Sequence, residues 1–141
     1  MADLLPPFAP PRALFPFPGL AAAAARAPLG GPRETLTAVV MVVRLAQGMR
    51  LPHPLPVDVR RARAEQAKAW LSALTLPAKT RTALQRGIAA SAQGDRTVMA
   101  EVLGGVTDVT APQLDRAARS ELTRLAADLR QDAVALAAPT D

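Results

Sequence analysis

From Pro32 to about Met49 the chain is apolar at nearly every position, through ETLTAVVMVVRLAQ, with proline leading and Glu34 close behind. Proline lacks the N–H that a helix's first turn leaves unpaired, and a carboxylate there meets the positive end of the helix dipole. The stretch is therefore read as a helix ending near Gly48 or Met49. Its apolar residues face all sides, which suits a central helix surrounded by others. The β-branched Val39, Val40, Val42 and Val43 also fit a buried strand, but no partner strand is visible elsewhere, so helix is favoured.

The segment LPHPLP, residues 51–56, is a proline-stiffened connector that stops the first helix from running into the second. The second opens with Asp58 in its first turn; Val59, Ala67, Trp70, Leu71 and Leu74 fall on one side, and Arg61, Glu65 and Lys68 on the other. A third starts at Thr75-Leu76-Pro77, turns Leu76, Thr80, Leu84 and Ile88 inward, and ends near Gly94. Asp95 is the expected N-cap of a short fourth helix carrying Val98, Met99, Val102 and Leu103, with Gly104-Gly105 as its terminator. Thr110 to Gln113 has capping-box spacing with proline in the first turn. The fifth helix follows, with Leu114, Ala118, Leu122, Leu125 and Leu129 on one stripe, to about Ala138. At ~1.5 Å per residue it would span about 40 Å, an overhang that needs a partner or a bend.

The prediction is an all-α fold: a small bundle of about five helices over residues 32–138, an extended Pro/Phe-rich tail over 1–31, and a short C-terminal end at 139–141. Composition agrees. The 141 residues suit one domain; half are apolar, but with one Trp, three Phe and no Tyr the core must be Leu, Val and Ala in closely approaching helices. Residues 1–32 hold all three phenylalanines and eight of the fourteen prolines. Proline holds the backbone extended, so Leu4, Leu5, Phe8, Leu14, Phe15 and Phe17 cannot collapse locally and are expected to dock, on this chain's own helices or on another chain. The Ala21–Ala25 run is read as a short helix ended by Pro28 and Gly30-Gly31, acting as a hinge.

Candidate chemistry is sparse. Without cysteine there are no disulfides, thiolate zinc sites or thiol nucleophiles. His53, the one histidine, lies in stiff Pro-His-Pro with no evident route to Ser72, Ser91 or Ser120. Asp128 and Asp132 share an i, i+4 face, where Arg124 and Arg130 make an ordinary solvated charge pattern more natural than a metal site. LGGPRET lacks the spacing and lysine of a phosphate loop. No enzyme activity, cofactor or metal is expected. Asp3 and the early prolines disfavour a secretory signal, and the run 38–43 is too short to span a bilayer, so a soluble, cytoplasmic protein is expected.

The net charge of +5 is uneven: residues 44–96 hold ten Lys/Arg against three Asp/Glu, and residues 97–141 four against seven. Such asymmetry marks either a polyanion-binding face or two segments that neutralise each other, the second being the commoner case. For the first, Arg60, Arg61, Arg63, Lys68, Lys79, Arg81, Arg86 and Arg96 are the phosphate-contact candidates. The stretch IAASAQGDRTVMAEVLGG resembles a helix-turn-helix at Ala90, Gly94, Val98, Val102 and Leu103, a resemblance that implies DNA binding. It departs from that pattern at Gln93 and Asp95, where apolar residues usually flank the turn glycine, and Glu101 would repel phosphate. The expected function is a non-enzymatic interaction or assembly subunit that docks through its tail on another protein or a second copy. The alternative is nucleic-acid binding by the basic face of residues 60–96.

Overall fold

In the computed structural model, which describes residues 18–27, 31–109 and 114–137, the valine-rich run is helical: α2, Gly31–Gln47. Around it lie α1 (Pro18–Arg26), α3 (Val57–Ser72), α4 (Ala78–Gln93), α5 (Arg96–Val109) and α6 (Arg116–Ala137). The fold is all-α, with no strand among the described residues. Leu36, every residue from Ala38 to Val43, Leu45, Ala46 and Met49 are buried, because α2 is contacted by α1, α3, α4 and α5. An all-round apolar helix is stable only when surrounded in this way.

Close approach compensates for the shortage of bulk. A Cβ on Gly87 of α4 would stand 3.0 Å from Val102 Cγ1 and 3.2 Å from Val42 Cγ1, so its absence lets α4, α2 and α5 share one crossing. Leu114, Ala118, Leu122, Leu125 and Leu129 are all buried, as their spacing predicts. On α3 the inward stripe is Ala64, Ala67 and Leu71, continued by Leu74; Trp70 is half-buried against the core, whereas Val59, expected inside, is exposed.

Four local readings are revised. Pro77 precedes α4 rather than lying in its first turn. Helix α6 begins at Arg116, capped by Asp115, whose Oδ1 accepts the Ala118 N–H at 3.0 Å; the expected capping box at 110–113 lies outside the described residues. Gly104 and Gly105 do not end α5, which continues to Val109. Both are exposed, with nothing within 4 Å of an added Cβ, while Val102, Leu103 and Val106 are buried and hold the helix through its other face. Glycine's penalty is thus present but outweighed. Gly104→Ala and Gly105→Ala should each stabilise the fold by about 0.5–1 kcal/mol, measured by urea unfolding.

The fourth revision concerns the tail. The Ala21–Ala25 run is helical as read, but the helix begins earlier, at Pro18, within the stretch assigned to an extended tail, and it packs on α6 and α2 with Leu20, Ala23 and Ala27 buried. It is a sixth helix among the described residues, and the helical body includes residues from Pro18 onward. No helix among the described residues is long and apolar enough to cross a membrane.

Candidate functional site

The residue before α1 is Phe17, which has no side-chain acceptor for the first N–H groups of that helix. Glu121 of α6 supplies one: its Oε2 accepts the Gly19 N–H at 2.6 Å and its Oε1 the Leu20 N–H at 2.7 Å. Gly19 is what makes this approach feasible, since a Cβ there would lie 2.9 Å from the carbonyl carbon and Cβ of Ala117 and from Ala118 N. Arg33 closes the other end, donating from Nε to Ala27 O at 2.9 Å and from Nη2 to Ala25 O at 3.0 Å. Arg26 adds an exposed ion pair to Asp115 at 2.9 Å. The Ala118 N–H and Arg26 hold the Asp115 carboxyl below its ordinary range.

The start of α1 is thereby fixed at the rim of a groove of about 570 Å³ lined by Gln47, Arg50, Ala117, Ser120, Glu121, Arg124, Leu125 and Asp128. Its floor is braced from the connector after α2. Arg50 donates from Nε to Asp132 Oδ2 at 2.7 Å and from Nη1 to Asp128 Oδ2 at 3.3 Å, and the Leu51 N–H reaches Asp132 at 3.2 Å. Asp128 and Asp132 thus answer to Arg50, rather than belonging to a surface pattern with Arg124 and Arg130. Burial pushes the Asp132 pKa up, but the Arg50 hydrogen bond, the Leu51 N–H and the charges of Arg50 and Arg96 outweigh it, holding the carboxyl below its ordinary range.

The basic residues of the central stretch are largely occupied with helix ends. Arg60 donates to Leu55 O at 2.8 Å and to Ser91 O at 3.2 Å; Arg96 donates to Met49 O at 2.8 Å. Arg81 bonds Leu71 O, in the last turn of α3, and Leu74 O, just beyond it. A cation at the last carbonyls satisfies orphan acceptors and opposes the negative end of the helix dipole. Arg86 pairs with Glu101 at 2.7 Å. Burial pushes the Arg63 pKa down, and neighbouring Arg44 lowers it further. Of the phosphate-contact candidates, Arg61, Lys68 and Lys79 are exposed and make no such bond.

The helix-turn-helix-like stretch does turn tightly, on Gly94 at φ 76°, a left-handed conformation natural to glycine, with Asp95 Oδ1 capping α5 through Val98 N at 3.0 Å. Over residues 96–107 of α5 the exposed positions are Thr97, Glu101, Gly104 and Gly105, which present no base-reading donors beyond a threonine. His53 is exposed on the connector, and among the described residues no hydrogen bond joins it to Ser72, Ser91 or Ser120. No group of three or more His, Asp or Glu among the described residues is placed to hold a metal ion. Leu4, Leu5, Phe8, Leu14, Phe15 and Phe17 lie outside the described residues.

What the sequence did not signal was the role of Glu121, which lies 102 residues from the amide it caps. The available hint was negative: a Phe-Pro-Gly start to an alanine helix with no local capping side chain. No protein-family model, curated protein or solved structure matches this chain.

Proposed function

We propose that this chain is a non-enzymatic docking or assembly subunit, in which the helical body presents the Pro/Phe-rich segment of residues 1–17 to another protein. The observation that supports it is the clamp on α1: Glu121 on two amides and Gly19 against the α6 backbone give that segment a fixed point of departure. A presented peptide binds better when its base is held and its own backbone is stiffened by proline, since less freedom is lost on binding. Leu4, Leu5, Phe8, Leu14, Phe15 and Phe17 are the anchors, large apolar groups of the kind that dominate interface energy. The cytoplasm is the compartment this reading assumes.

The clamp also determines how to test the proposal. A deletion reaching Arg33 would remove α1 and uncover α6, so the informative truncation begins at Pro18. Full chain and truncation are used as baits in extract of the source cell, with nuclease present, and retained proteins are challenged with a peptide of residues 1–17. The expected result is a protein held by the full chain alone and displaced by the peptide, but not by the same peptide carrying F8A, F15A and F17A. Equal retention by both baits, or indifference to the peptide, contradicts the proposal.

A further inference from the structure

Counted along the chain, residues 97–141 are acidic overall, yet on α6 the two signs are sorted by face. At 100° per residue, Arg116, Arg119, Ser120, Thr123, Arg124, Ala127 and Arg130 fall within an arc of roughly 140°. All seven are exposed. The carboxylates lie elsewhere and are engaged: Glu121 on the α1 amides, Asp128 and Asp132 on Arg50, Asp115 on Arg26 and the Ala118 N–H. The outward face is left with four arginines and no acid over about 21 Å of helix. Along it runs a shallow surface depression lined by Arg116, Arg119, Ser120, Thr123, Arg124 and Ala127.

We propose that this outer face of α6 binds the phosphate backbone of duplex nucleic acid without reading its sequence. Arginine with interleaved serine and threonine hydroxyls is the donor set that phosphodiester oxygens accept, and their spacing along one helix face matches a linear array of negative charge. A bilayer would require several bulky apolar side chains on the same face, which over the described residues of α6 carries one, Val134, beside Ala127. Unpaired strands are held largely by aromatic stacking, and this face carries no aromatic ring. The surface is distinct from residues 1–17 and from the basic residues of α3 and α4.

The test measures binding of the full chain to a labelled DNA duplex of random sequence across a salt series, with phosphatidylserine vesicles and a single strand alongside. Four phosphate contacts predict a slope of log K against log salt of about −3 to −4. The variant R116Q/R119Q/R124Q/R130Q should lose at least tenfold in affinity at low salt and most of the slope, while R116K/R119K/R124K/R130K retains both. R61Q/K68Q/K79Q, on α3 and α4, should bind as the parent does. No duplex binding at low salt, binding that survives the glutamine variant, loss through the α3–α4 variant instead, or preference for vesicles or single strand each overturns the proposal. Thermal unfolding of the variants, all changed at exposed positions, checks that the fold is kept.

Discussion

Asp132→Ala should destabilise the protein by about 3 kcal/mol, lowering its melting temperature by roughly 10 °C. Asp132 is buried, and its Oδ2 receives both Arg50 Nε and the Leu51 N–H, so the truncation leaves a guanidinium and a backbone donor without their acceptor. The cost is placed below that of a wholly buried pair because the Arg50 side chain is about a third exposed and water can reach it. Asp132→Asn, which keeps an acceptor and removes the charge, should cost about half as much. A double-mutant cycle with Arg50→Ala isolates the pair; a coupling energy near zero would show that the connector is held by packing alone.

The same carboxylate sets a pH dependence. Because the folded pKa of Asp132 is held below its unfolded value, the unfolded state binds the proton more readily. The stabilisation is complete above the unfolded carboxylate range, near pH 4, and is lost as pH falls through the folded pKa below it. Acid unfolding of Asp132→Asn should therefore show a shallower decline than that of the parent chain.

The second large effect is expected at Gly19. Gly19→Val places a side chain where even a Cβ meets Ala117 and Ala118 at 2.9 Å, and those atoms include helix backbone of α6, which cannot yield as the far end of a flexible side chain could. Helix α1 must then lift, withdrawing Leu20, Ala23 and Ala27 from the core and breaking both Glu121 bonds. Nine residues cannot remain helical alone in water, so α1 should unfold locally. Burying a leucine and two alanines is worth about 3 kcal/mol, which predicts a loss of hydrogen-exchange protection of roughly 100-fold in residues 20–26, with α4 and α5 little changed. Glu121→Ala removes the cap without the clash and should cost about 1–2 kcal/mol at the same amides. Unaltered protection there in Gly19→Val would mean that α1 is not held through this contact.

The parts of this fold that the sequence announces are those where large apolar residues repeat locally. Leu114, Ala118, Leu122, Leu125 and Leu129, and Leu84 with Ile88, are buried as their spacing requires, and α2 sits at the centre because its run from Ala38 to Val43 is apolar on every side. The misread parts depend on partners distant in sequence. The helix of alanines 21–25 is legible, but its packing on the body is not until Gly19, Ala117 and Glu121 are known to meet, and Gly104-Gly105 look like a terminator until the packing of Val102, Leu103 and Val106 is seen. Charge was misleading in a different way. A net count along the chain cannot distinguish an arginine in water from one spent on a helix end, as Arg60, Arg81 and Arg96 are, nor a free carboxylate from one already engaged, as Glu121, Asp128 and Asp132 are. Placing residues 115–130 on a helical wheel would have revealed the arginine face beforehand.

Function as a docking subunit stands or falls on whether residues 1–17 carry the interaction while the body merely presents them. Peptide displacement measures this most directly: retained partner, released from the full chain by a peptide of residues 1–17 and not by its F8A/F15A/F17A form, is the predicted result. A partner held equally well by the chain beginning at Pro18 would contradict it and move the binding site onto the helices.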